Sequence, residues 1–138
     1  MLRIILSVVV GVVTAIVLLI AVEGFSAVVH PFPEGFQGTR EEICRHVEKY
    51  PAWILEVVIP MWAGIGFLST WVTARIGNLY SGIFVGVQFL AAVIVNVVML
   101  PYPLWFKAGM PLATFIAIVL AVRLTLRRKV AVRPASAP

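Results

Sequence analysis

Four apolar runs, each about the length needed to cross a bilayer, leave this chain few folds to choose from. A membrane-spanning helix needs about 20 predominantly apolar residues, and residues 4–29, 52–74, 79–100 and 104–126 each meet that requirement. Backbone amides cannot go unpaired in hydrocarbon, so runs of this length become helices. Composition agrees: 62% of the residues are hydrophobic, 12% are charged and the mean hydropathy is +1.05. The fold class that follows is an all-α integral membrane protein, a four-helix up-down bundle with one extramembrane loop over residues 30–51 and a basic tail over 127–138. All 138 residues are assigned to a single transmembrane domain.

The first run has the start of a signal peptide, but it exceeds the roughly 7–15 residues of an h-region and is followed by Val22-Glu23-Gly24, a poor cleavage site. It is expected to stay as a membrane helix. His30-Pro31-Phe32-Pro33 ends it, because a residue before proline is pushed out of the α region. Thr39-Arg40-Glu41-Glu42 then reads as a capping box opening a short helix to Tyr50. That helix carries Ile43, Val47 and Tyr50 on one side and Arg45, Glu48 and Lys49 on the other. It is expected either to lie on the bilayer surface or to form a solvated connector.

Pro51 is expected as the first residue of span two. In that span Glu56, Pro60, Ala63, Phe67, Thr70 and Ala74 share a small and polar face, expected to meet the other helices. Span three offers Gly82 and Gly86 at small-xxx-small spacing. Counted from Pro111 the last run covers only about 24 Å, so its helix is expected to start near Leu104 and bend near Pro111. Gly109, Ala113, Ala117, Ala121 and Thr125 recur every four residues along it as a packing ridge.

The net charge of +5 comes largely from Arg123, Arg127, Arg128, Lys129 and Arg133, directly after the last span. Basic residues there anchor a helix end to anionic lipid head groups, and no nucleic-acid surface is implied. With four spans both termini share a side, and that side holds seven of the 11 Lys and Arg residues, Arg3 and Arg75 included. The positive-inside rule places the termini in the cytoplasm and the 30–51 loop in the periplasm of a bacterial inner membrane. A lone Cys44 excludes an intrachain disulfide and any Cys-x-x-Cys pair.

Acids within a span are costly and therefore candidates for function. Glu23 lies about 9 Å from the end of span one, and Glu56 and Asn96 about 7–8 Å from the ends of theirs, all in the same leaflet. His30 follows Glu23 by seven residues, within about 20° on the same helix face. Three readings of Glu23, His30, Glu56 and Asn96 compete. They lock or snorkel as structural groups; Glu23, His30 and Glu56 hold a divalent metal; or they line a proton or transport path. Cys44 and His46 point about 200° apart on a helix, so they form no joint metal site. No nucleophile triad, Walker loop, dinucleotide fingerprint or His-Glu-x-x-His motif occurs.

Glu23, His30-Pro31-Phe32-Pro33 and Leu100-Pro101-Tyr102-Pro103-Leu104-Trp105-Phe106 together resemble a group of small, uncharacterised bacterial four-span membrane proteins. The resemblance implies an inner-membrane location and four spans, and brings no activity with it. The first expectation is an accessory or scaffold subunit, associating with other membrane proteins or with itself through Gly82, Gly86 and the Gly109–Ala113–Ala117–Ala121 ridge. The second is a small transporter or an ion-binding protein, and the third a metal-dependent membrane enzyme. No cofactor is expected beyond the divalent metal of the second and third readings.

Overall fold

The computed structural model describes the backbone of residues 1–131 and the side chains of residues 1–127. Five helices follow one another: α1 (Leu2–Val29), α2 (Arg40–Glu48), α3 (Ala52–Ile76), α4 (Leu79–Met99) and α5 (Leu104–Ala131). All except α2 are long and apolar enough to cross a membrane. The chain is an all-α, multi-pass membrane protein. Of the basic anchor, the side chains of Arg128 and Lys129 and the whole of Arg133 lie outside the described residues.

Local chemistry sets the ends of the helices. Thr39 accepts from the amide of Glu42 at 3.3 Å while the Glu42 carboxylate accepts from the amides of Thr39 and Gln37 at 3.1 and 3.0 Å. Asn78 and Ser81 make the same reciprocal pair at the start of α4. Gly35 and Gly38 take positive φ values of 80° and 76°, which lets the loop turn sharply into α2 where a Cβ would be strained. Pro51 is the cap before α3 and Ala52 its first residue. Pro60 and Pro111 both sit inside continuous helices.

The helices do not pair simply in chain order. Helix α3 packs on α1, α4 and α5, and its contact with α5, a parallel neighbour, is the most extensive. Helix α4 also touches α1 and α5, whereas α1 and α5 do not meet. The cross-section is therefore a rhombus with α3 and α4 on its short diagonal. At the end holding the termini, Arg3 Nε donates to the Ile76 carbonyl at 2.6 Å, and the Ser7 and Ser81 hydroxyls lie 3.4 Å apart.

Small residues let these backbones approach. A Cβ on Gly82 would lie 2.6 Å from the Ala74 Cβ and 2.9 Å from the Thr70 carbonyl; one on Gly86 would lie 2.8 Å from Ile118. Gly109 faces Ile59, and Ala121 is fully buried. Ala113 and Ala117 are half-buried along the same seam. Much of the small-residue surface expected to seat a partner is thus taken up by packing within the chain. Three buried hydroxyls along α3 and α5 are satisfied by their own helices: Ser69 donates to the Ile65 carbonyl at 2.8 Å, Thr73 to the Ser69 carbonyl at 2.7 Å and Thr125 to the Ala121 carbonyl at 2.9 Å, whereas the Thr70 and Thr114 hydroxyls are buried without a partner. Outward-facing Val9, Val13, Ile16, Val17 and Ile20 leave α1 a broad apolar surface matched to lipid.

One expected face is corrected. On α3, Thr70 and Ala74 are buried as expected, but Glu56 and Pro60 are exposed. The buried arc is wide near the termini, covering Ser69, Thr70, Thr73 and Ala74, and lies over Ile54, Leu55 and Val58 at the other end. Glu56 falls about 100° from Leu55 on the wheel and drops out of that arc.

Candidate ligand-binding site

Where the bundle meets the 30–51 loop, the four long helices leave a cavity of about 250 Å³, and α2 with its flanking loop forms the roof. Helix α1 contributes Glu23 and Ser26, α3 contributes Leu55, Val58 and Trp62, α4 contributes Asn96, and α5 contributes Phe106 and Met110. The roof brings Ile43, His46, Val47 and Tyr50, and the α4–α5 turn brings Tyr102.

Helix α2 lies over the bundle end, which neither the bilayer-surface nor the solvated-connector expectation described. Its amphipathic pattern explains why. Ile43, His46 and Val47 face the cavity while Arg45, Glu48 and Lys49 face away from it and are exposed. Helix α2 shares no close backbone packing with the spans; its side chains hold it. The His30 and His46 rings stack with centroids 4.3 Å apart, Phe32 stacks on His46 at 4.5 Å, and Tyr50 meets His46 edge-on at 5.4 Å. The His30 Nε2 lies 3.4 Å from the His46 carbonyl. Phe32 in turn stacks on Phe36 at 4.2 Å, extending the aromatic cluster along the loop.

Of the four polar residues singled out in the sequence, two come together. Glu23 and Asn96, from different helices, line the same cavity. His30 lies in the neighbouring hollow with Glu34, Arg45 and Lys49, on the other side of the His46 ring. Glu56 lines neither. Among the described residues no group of three or more His, Cys, Asp or Glu side chains stands close enough to hold a metal ion; Glu23, His30 and Glu56 are not gathered into a ligand set.

The environment keeps the roof groups uncharged. Burial, with the His30 and Lys49 charges adding to it, holds the His46 imidazole below its ordinary value of 6.5. Burial pushes the Tyr50 phenol up, the Ser26 side chain opposes that, and Glu23 adds to it. Tyr102 is pushed up more strongly, again by burial first and then by Tyr50 and Glu23. His46 is 8% exposed, and its Nε2 is buried with no hydrogen-bond partner. An orphaned polar atom beside a cavity is uncommon in a folded protein.

Sequence reasoning does not assign His46, Tyr50, Trp62, Tyr102 or Phe106 to a site: His46 is weighed only as a metal ligand beside Cys44, Tyr50 only as part of a helix face, and Tyr102 and Phe106 only as part of a motif. A signal existed: Phe32, Phe36, Tyr50, Tyr102 and Phe106 all fall where the runs meet the loop and the α4–α5 turn, a density of aromatics beyond what an interfacial belt on one turn explains.

Comparison of the chain with protein-family models, with curated proteins and with solved structures gives no match.

Proposed function

We propose that this chain is a small multi-pass protein of a bacterial inner membrane that binds a small organic ligand in the cavity at its loop end, as a carrier or receptor would. The observation that carries the reading is that Glu23 and Asn96, from helices remote in sequence, face one roofed cavity with mostly apolar walls. Ligand sites commonly have this form, concave and apolar with a few convergent polar groups. A role as an accessory subunit rested on surplus small-residue faces; Gly82, Gly86 and Ala121 are engaged within the bundle, so ligand binding is preferred. The termini are placed in the cytoplasm and the roof outside, supported by the concentration of Arg3, Arg75, Arg123 and Arg127 at the terminal end. Topology reporters fused at the C-terminus and within residues 34–38 test that placement.

The binding reading is tested on the purified protein in phosphatidylcholine nanodiscs, with small aromatic solutes of differing charge. At least one solute is expected to raise the thermal midpoint of the wild type, and Ser26→Phe, which fills the cavity, is expected to abolish that rise. If no solute moves the wild-type midpoint, the binding reading fails.

A further inference from the structure

We propose that the ligand taken by this cavity is a protonated amine carried on a compact apolar body. The inference rests on the binding reading above and names the chemical class that the lining selects.

The lining holds one carboxylate, Glu23, and no lysine or arginine. Arg45 and Lys49 lie instead in the hollow beyond His46. Glu23 is exposed but stands within a membrane-length helix, where an ionised carboxylate is costly unless a cation accompanies it, and the lining supplies none. Around it stand the rings of Tyr50, Trp62, Tyr102 and Phe106. Aromatic faces attract ammonium groups through their quadrupoles and repel anions.

His46 is 8% exposed and its Nε2 is sealed from the cavity, so this residue supplies wall and no hydrogen bond to a ligand. A protonated amine can donate to Glu23 and lay its apolar body against the rings; a quaternary ammonium lacks the donor, and an anion finds no cationic partner in the lining. Asn96 offers an amide to orient the polar end. Size sets the last bound. An engineered cavity of about 150 Å³ holds benzene, so 250 Å³ has room for about ten non-hydrogen atoms.

Three probes of nearly equal size separate the possibilities: dimethylbenzylammonium, its neutral isostere isobutylbenzene, and the anion benzenesulfonate. Titrated into the full-length protein in phosphatidylcholine nanodiscs, the ammonium is expected to bind at least about tenfold more tightly than either of the others. Glu23→Gln is expected to remove that preference and leave isobutylbenzene unchanged, whereas Glu23→Asp keeps it in part. Should Glu23→Gln fail to fold, the wild-type ranking of the three probes decides the question by itself. Equal or tighter binding of isobutylbenzene or benzenesulfonate, abolished by Ser26→Phe, overturns the amine assignment and leaves the binding reading standing. Absence of binding by all three overturns both.

Discussion

His30 and His46 stack face to face, 4.3 Å between centroids and 27° between planes, so the residue that ends α1 also clamps the last turn of α2. Two imidazoles in this arrangement repel once both are protonated, and burial already disfavours charge on His46. A histidine whose native value is depressed contributes stability that is full above its unfolded value and is lost as the pH falls through it toward the native one. Attachment of α2 is therefore expected to weaken as pH drops below 6.5, the ordinary value for His46. Hydrogen exchange of the α2 amides, followed from about pH 7.5 to about pH 5.5, checks this. His46→Gln should flatten the profile; an equally steep profile in that variant would assign the effect elsewhere.

The reciprocal cap at Thr39 and Glu42 sets the start of α2. Thr39→Ala removes the hydroxyl that accepts from the Glu42 amide and is expected to cost about 1 kcal/mol locally. Ligand affinity should fall with it, since the roof is then less often formed, while the unfolding midpoint of the spans stays close to wild type. The Glu42 carboxyl is held below its usual range, chiefly by the Thr39 backbone amide. Its contribution is present above the unfolded value and is lost as pH falls through the lowered native one.

Gly82 and Gly64 make a matched pair of opposite sign. A Cβ on Gly82 meets Ala74 and the Thr70 carbonyl, whereas one on Gly64 meets nothing within 4 Å. Gly82→Val is expected to destabilise the bundle by about 1–3 kcal/mol through overpacking. Gly64→Ala should be neutral or stabilising by up to about 1 kcal/mol, from helix propensity alone. Chemical unfolding in mixed micelles measures both.

Glu56→Gln serves as the counterpart to the Glu23 variants. Glu56 is exposed and lines no part of the cavity, so its substitution should shift stability by no more than about 0.5 kcal/mol. Affinity for any cavity ligand should stay unchanged. A tenfold loss of affinity, about 1.4 kcal/mol, would mean that α3 turns on binding.

The span boundaries were legible because hydrophobic length and proline position act locally. His30-Pro31, Pro51 and Leu100-Pro101 mark helix ends that the structure reproduces within two residues of the expected 29, 52 and 100. Placing Glu23 and Asn96 at one depth was legible too, since rise per residue on antiparallel helices is simple arithmetic. Glu56 was misplaced because depth alone does not fix which way a helix is turned. That rotation is set by Gly82 and Gly86 seating against Thr70 and Ala74, far down α3. The roles of His46 and Tyr50 were hidden for a different reason. They depend on where α2 settles, and α2 is positioned by ring stacking between residues that periodicity does not link.

That mode of attachment has a thermodynamic consequence. Among the described residues no main-chain hydrogen bond joins the segment between Pro33 and Tyr50 to the long helices; its bonds are local, Phe36 to Pro33, Ile43 to Thr39 and Tyr50 to Val47. The segment is therefore expected to behave as a cooperative unit smaller than that of the long helices. The smaller can open sub-globally, pivoting at Gly35, Gly38 and Pro51, without leaving a single amide of the larger one unpaired in hydrocarbon.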